Sequence, residues 1–180
     1  MYKLNNTWTL WLHLPHDVDW TINSYKKVFT FDTLDECITL IENINKEIVE
    51  KCMLFIMKNN IKPIWEDTEN SKGGCLSYKI NTDYVYHVWK KLNYYLIGEK
   101  LSDNQELINN INGLSISPKK NFCIIKFWIK NTETLKTIES FSYLNNTTLD
   151  DPEKFDPLNI DYLCNIEKQH CLFKQHEILY

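Results

Sequence analysis

Trp65 stands beside two acids, Glu66 and Asp67, in IKPIWEDTENSKGG (residues 61–74), a stretch with the composition of a loop. Loops run over the surface, and an indole left there exposes apolar area unless something covers it. Trp20, in PHDVDWTINS, stands in the same situation. A third indole, Trp128, lies in FCIIKFWI (122–129), where Cys123, Ile125, Phe127 and Ile129 form one apolar face by strand alternation. Trp128 then shares the opposite face with Ile124 and Lys126, a mixture that a second core would not use. Taken alone, each of these tryptophans is more often core or part of a satellite cluster. Two loop-borne indoles, a neighbouring acid and a third indole on an open sheet face point instead to a site for a planar ligand.

A planar base between two indoles is covered on both faces, and stacking contributes about 1–3 kcal/mol per base. The Glu66 carboxylate can accept from two adjacent donors, which guanine offers at N1–H and its exocyclic amine and adenine does not. Methylation at N7 makes that base a cation, which gains on the order of 0.5–2 kcal/mol from the indole faces. Lys119, Lys120 and Lys126, close to Trp128, would meet attached phosphates. Each signal has a plainer reading: Glu66–Asp67 without the indole is a solvated acidic turn, and Lys119–Lys120 by itself is a wet hairpin turn.

An enzyme is not expected. No nucleophile–base pair and no phosphate-cradling glycine loop is visible, Gly73–Gly74 being the only glycine pair. His13, His16, Asp17 and Asp19 could be drawn as a metal set, and so could Cys164, His170, Cys171 and His176. Neither has a recognised ligand spacing, so no metal and no cofactor is expected. The formal net charge of -4 argues against sequence-independent binding to nucleic acid, which needs a strongly basic face. Any nucleic-acid role is therefore local and chemical. Alanine and arginine are absent, which fits an A+T-rich genome, such as that of a protist or a virus, and leaves every basic contact to lysine.

These side chains need a frame. At 180 residues, with no Pro/Gly/Ser-rich linker, the chain is expected to be one domain, 1–180, built on one core. Strands are predicted at 8–14, 25–31, 52–57, 75–80, 113–117 and 122–129, with one or two more in the last thirty residues, ending in HEILY. Thr33 and Glu36 form a capping box, and Leu34, Ile38, Ile41, Ile44 and Ile48 recur at helical spacing, predicting one helix. Val85, Val88, Trp89, Leu92 and Leu96 predict a second, stopped by Gly98, and a third is expected over about 133–143. The class is α+β, with helices on one side of a sheet and the other side free for a ligand. No secretory signal or membrane span is expected, the glycosylation triplets at Asn5 and Asn145 are taken as chance, and the six scattered cysteines read as reduced thiols. The protein is expected to be a cytoplasmic monomer without membrane contact.

W-x-L-W at Trp8–Trp11, Trp20, FDT at Phe31–Thr33, IxPxWED at Ile61–Asp67 with KGG at Lys72–Gly74, LIGE at Leu96–Glu99 and Trp128 follow one another as in a known family. The chain resembles eukaryotic translation initiation factor 4E over almost its whole length. That resemblance implies a curved antiparallel sheet of about eight strands, three helices on its convex face and the 7-methylguanosine cap of mRNA in its concave face. It implies Trp20 and Trp65 as the stacking pair, Glu66 at the guanine edge, the Trp65 backbone N–H on O6, Trp128 at the N7-methyl group and Lys119 on phosphate. Ile124 replaces the family's second phosphate lysine, and Lys126 is expected to compensate. The implied partner face comprises Leu34, Ile38, Trp89, Lys90, Lys91 and Tyr94. There Ile38 replaces a tryptophan that seats the YxxxxL-type peptide of a 4G-like scaffold, and Lys90–Lys91 replace Leu-Glu. The expectation is a factor that recruits capped mRNA for translation initiation; the alternative is a repressor or decoy that holds caps without the usual scaffold, or with a dedicated partner of acidic complement.

Overall fold

The computed structural model describes residues 2–137, 157–167 and 171–177. The predicted helix beyond 137, the last three residues of HEILY, His170 and the Asn145 triplet lie outside them. Seven strands are described: β1 (Lys3–His13), β2 (Lys26–Thr33), β3 (Met53–Lys58), β4 (Gly74–Asn81), β5 (Ile111–Pro118), β6 (Phe122–Ile129) and β7 (Cys171–Gln175). They form one curved sheet in the order β2-β1-β3-β5-β6-β4-β7, antiparallel throughout. The helices are α1 (Leu34–Asn43), α2 (Lys46–Lys51), α3 (Thr82–Ile97), α4 (Gln105–Asn109), α5 (Thr132–Thr137) and α6 (Ile160–Cys164). Among the described residues there are thus six helices where three were predicted, because short helical turns fill connections that carry too few apolar positions to show a period. None is long and apolar enough to cross a membrane.

Alternation along the strands sorts the side chains into two layers. Leu10, Leu54, Ile56, Leu114, Ile116, Ile125, Phe127, Leu76 and Tyr78 point to one face and join Ile41, Val88, Trp89 and Leu92 of the helices in the main core. The other face carries a second buried cluster of Phe55, Met57, Ile61, Cys75 and Trp128. This corrects the view of that face as open beneath Trp128, which is only 4% exposed and donates its indole N–H to Ser115 Oγ at 2.9 Å. The apolar pattern of β6 hides this cluster because its members come one or two from each of several strands.

The predicted first helix is broken in two. Thr33 caps α1 as expected: its Oγ1 accepts the Glu36 N–H at 3.3 Å, and the Glu36 carboxylate reaches back to the Asp32 N–H at 3.3 Å. Ile44 is extended, however, and Asn45 caps α2 through the Glu47 N–H at 2.7 Å. Asparagine competes for backbone hydrogen bonds in just this way. The break turns Val49 into the core and leaves Ile48 exposed, reversing the helical spacing of the sequence. At the end of α3, Gly98 is ordinary right-handed backbone and Glu99 is the left-handed residue (φ 56°), its carboxylate accepting from Asn5 and Asn6 at 2.8 Å each. The six cysteines are free thiols.

Candidate functional site

The pleat brings the candidate residues together. Across the helix-free face, Phe55 stands opposite Ser115, Ser115 opposite Lys126, and Lys126 opposite Ser77. The loops before β2 and before β4 rise over this floor. Between them lies a cavity of about 370 Å³ bounded by Trp20, Trp65, Glu66, Trp128, Lys119 and Lys126, with Tyr25, Phe55 and Ser115 completing the wall. Lys120, exposed in the same turn as Lys119, is not part of that wall.

The loop that carries Trp65 folds around Asp67 and Asn70. Asp67 accepts the Lys62 and Glu69 N–H groups at 3.0 Å each. The buried Asn70 donates to the Lys62 and Ile64 carbonyls at 2.9 Å and accepts from Asn112 at 2.9 Å. Of the two acids beside Trp65, Asp67 therefore builds the loop and Glu66 is left over. Among the described residues the Glu66 carboxylate has no hydrogen-bond or ion-pair partner, and the Trp65 backbone N–H donates to no backbone carbonyl. Gly73 ends the loop hard against β6: a Cβ there would meet the Ile129 carbonyl oxygen at 1.7 Å, which explains the glycine in KGG.

Each loop indole rests on a histidine. The His13 ring lies 4.4 Å from Trp20 at an interplanar angle of 5°. Its Nε2 is 2.8 Å from the Asp19 carbonyl, which can only accept, so Nε2 carries the proton. The imidazole thus holds Trp20 both by its face and by the backbone just before it, while the indole remains 56% exposed. His176 stacks on Trp65 at 5.1 Å and 15° and leans on Trp128 at 5.3 Å. Its Nδ1 donates to the Asn70 carbonyl at 2.8 Å, leaving Nε2, 3.2 Å from Cys75 Sγ, to accept from the thiol. Burial holds His176 below its ordinary pKa and pushes the Cys75 thiol up to about 12, so both are neutral. Burial, with Glu66 and Asp19 adding, pushes the Tyr25 hydroxyl up to about 12. The cavity is thus walled by neutral rings, with Glu66 at one side and Lys119 and Lys126 at another.

Neither histidine was assigned a site role from sequence, because His176 is 111 positions from Trp65 and the six residues between His13 and Trp20 show no spacing that would stack the two rings. Among the described residues, which do not include His170, no three His, Cys, Asp or Glu side chains are placed to hold a metal.

The sequence model described as Eukaryotic initiation factor 4E matches residues 3–175. The chain belongs to the eukaryotic initiation factor 4E family. It is 27% identical over 136 residues to the eukaryotic translation initiation factor 4E homolog of Acanthamoeba polyphaga mimivirus, covering 64% of this chain and 50% of that protein. It is also 27% identical over 139 residues to eukaryotic translation initiation factor 4E of Saccharomyces cerevisiae, covering 73% of this chain and 63% of the yeast protein. The chain thus spans between half and two-thirds of the length of these curated relatives. Among solved structures, C. elegans eIF4E-3 in complex with the 4E-binding protein Mextli and cap analog has TM-score 0.74 at 19% identity, covering 97% of this chain and 92% of that one. Ascaris suum eIF4E-3 with m2,2,7G cap has TM-score 0.73 at 21% identity, covering 99% and 93%. At these identities the structures establish a shared initiation factor 4E fold.

Within that fold the helix face differs from the implied partner surface in one respect. Trp89 is 0% exposed in the main core and cannot touch a partner, because its position on α3 points at the sheet. Leu34 and Ile38 are exposed on α1. Beside them Glu42 bridges α1 to α3 through Lys90 Nζ and through the Tyr94 hydroxyl, which donates at 2.6 Å. Lys90, then Tyr94, holds the Glu42 carboxylate below its usual range. Lys90 is therefore already neutralised within the chain, which weakens the expectation of an acidic partner drawn from its charge.

The His13 contact predicts a measurable role. His13→Ala is expected to lower affinity for a stacking ligand by about 1 kcal/mol, roughly fivefold, the cost of ordering a freed side chain on binding. His13→Phe keeps a ring under Trp20 and should recover most of the loss in tryptophan-quenching titrations. Equal behaviour of the two variants would remove the stack as the cause.

Proposed function

We propose that this chain binds the 7-methylguanosine 5′ cap of mRNA and acts in recruiting capped mRNA for translation initiation. One observation carries the reading: two loop indoles, an unpaired carboxylate, a strand indole and two lysines, far apart in sequence, bound a single cavity. Each loop indole has one face on a histidine and gives its other face to the base in this reading; Lys174 Nζ also lies 5.7 Å from the Trp65 ring centroid. In the reading, Trp20 and Trp65 stack on the guanine, Glu66 accepts from its N1–H and amine, and the Trp65 backbone N–H donates to O6. Trp128 meets the N7-methyl group, and Lys119 and Lys126 take the phosphates, with Lys120 at the rim. Neutral His176 matters here, since a proton on it would set a cation behind the indole that must attract one. All these groups come from one chain, so a monomer suffices. Membership of the initiation factor 4E family and the likeness to structures solved with cap ligands support the reading. It describes a cytoplasmic binding protein, not an enzyme.

Titration with 7-methyl-GTP should quench tryptophan fluorescence at much lower concentration than GTP does. Glu66→Ala is expected to weaken 7-methyl-GTP binding by about 1–3 kcal/mol and to relax the preference for guanine over adenine nucleotides. Equal quenching by the methylated and unmethylated nucleotides would end the proposal.

A second reading shares the pocket: a repressor or decoy that holds caps without the usual scaffold. Ile38 and the Glu42 bridge favour it, since a peptide anchored between α1 and α3 would have to displace Lys90 and Tyr94 from their carboxylate. A YxxxxL-type peptide that binds the cap-loaded chain with micromolar or better affinity would decide for the initiation role.

A further inference from the structure

The strand register carries the basic surface beyond the cavity to a lysine that the cap reading does not use. Lys79 of β4 stands opposite Ile124 of β6, and Ile124 opposite Ser117 of β5, a residue of the cavity wall. Lys126 is the diagonal neighbour of Lys79, a spacing of about 7–8 Å. All of them project from the same face as Trp128. Lys79 itself lies outside the cavity wall, about 10 Å from Ser117 at two strand spacings. Its Nζ sits 4.6 Å from the ring of Phe122, which opens β6 directly after the turn bearing Lys119 and Lys120.

The charges of this group are uncompensated. Lys3, Lys46, Lys51, Lys90, Lys130 and Lys136 each have a carboxylate partner. Among the described residues, Lys79, Lys119, Lys120 and Lys126 have none, and neither do eight other lysines; what sets these four apart is that β4, β6 and the turn before β6 place them beside one cavity. In a chain of formal charge -4, these four lysines give the surface beside the cavity a local positive field that favours an anionic ligand. Lys79 stands outside the wall that Lys119 and Lys126 help to form. Cationic surface interleaved with half-buried aromatic rings such as Phe122 suits single-stranded nucleic acid without sequence preference.

We propose that Lys79 with Phe122 forms a second subsite, continuous with the cavity, for the sugar-phosphate backbone of the nucleotides that follow the cap. The ligand is then capped single-stranded RNA and not the cap nucleotide alone. This rests on the cap reading of the cavity.

The test compares the full chain with Lys79→Ala against 7-methyl-GMP, GMP, a capped oligoribonucleotide of a few residues and the same oligonucleotide with an uncapped 5′-triphosphate. Each is titrated at about 50 and about 200 mM salt, a range over which phosphate contacts are strongly screened. Lys79→Ala should leave 7-methyl-GMP binding unchanged and weaken capped-oligonucleotide binding roughly two- to fivefold, the scale of one exposed ion pair. Its salt slope on the oligonucleotide should fall by about 0.7, one single-strand contact. An equal loss on 7-methyl-GMP and the oligonucleotide, or no loss on the oligonucleotide, overturns the subsite. So does displacement of the oligonucleotide by polyglutamate from the unmodified chain but not from Lys79→Ala, which would assign the patch to an acidic peptide. Failure of the unmodified chain to prefer 7-methyl-GMP over GMP instead removes the cap reading, and Lys79 dependence of the uncapped oligonucleotide then decides the backbone site separately.

Discussion

Trp65→Ala is expected to lower affinity for a 7-methylguanosine nucleotide by about 1.5–5 kcal/mol, roughly tenfold to several thousand-fold, and to leave the fold intact. The size follows from losing two effects together: the stacking of a base on the indole and the attraction of a cationic ring to its quadrupole. GTP, lacking the positive charge, should lose only the stacking part. The ratio of the two affinities should therefore fall toward one, a signature that general damage to the pocket would not produce. Stability should hold because Trp65 stands half-buried on a loop braced by Asp67 and Asn70, whose hydrogen bonds do not involve the indole. Trp65→Phe keeps a smaller ring over His176 and should fall between. An alanine variant that kept its selectivity for the methylated nucleotide would take Trp65 out of the site.

Trp89→Ala should show the opposite phenotype. Trp89 is fully enclosed among the side chains of α3 and the sheet, and truncating a buried tryptophan costs about 3–5 kcal/mol through lost burial and the cavity left behind. For a chain of this size that lowers the melting temperature by roughly 6–20 °C. Below the transition, the folded fraction should bind 7-methyl-GTP with nearly unchanged affinity, since Trp89 lies on the far side of the sheet from the cavity. Urea unfolding followed by circular dichroism, paired with ligand titration in the same buffer, reads both quantities. A variant with unaltered unfolding and a lost protein partner would restore Trp89 to the surface.

These two tryptophans show where a one-dimensional pattern is informative. Trp65 is recognisable because an indole amid Asn, Glu, Asp, Lys and Gly breaks the rule that loops are polar. Trp89 sits inside a helical period, and a period says that one face is buried without saying whether a given edge residue lies in the core or on the rim. The same ambiguity explains α1 and α2. Ile44 and Ile48 continue the spacing of Leu34 and Ile38, but the Asn45 cap depends on a competition between side chain and backbone that spacing does not register.

The sequence by itself determined the composition of the site and most of its frame. Alternation set the two faces of β6, the capping box set the start of α1, and the residue types around Trp20, Trp65, Glu66 and Lys119 raised the expectation of a planar, cationic and phosphorylated ligand. These are local properties, written in spacings of two to four residues. Only the tertiary structure decided what stands behind and beside those groups: His13 under Trp20, His176 shared by Trp65 and Trp128, Cys75 as its partner, Lys79 beyond the cavity mouth and Glu42 closing α1 onto α3. Such contacts join residues up to 111 positions apart. They are set by strand order and register, which no short window of sequence contains.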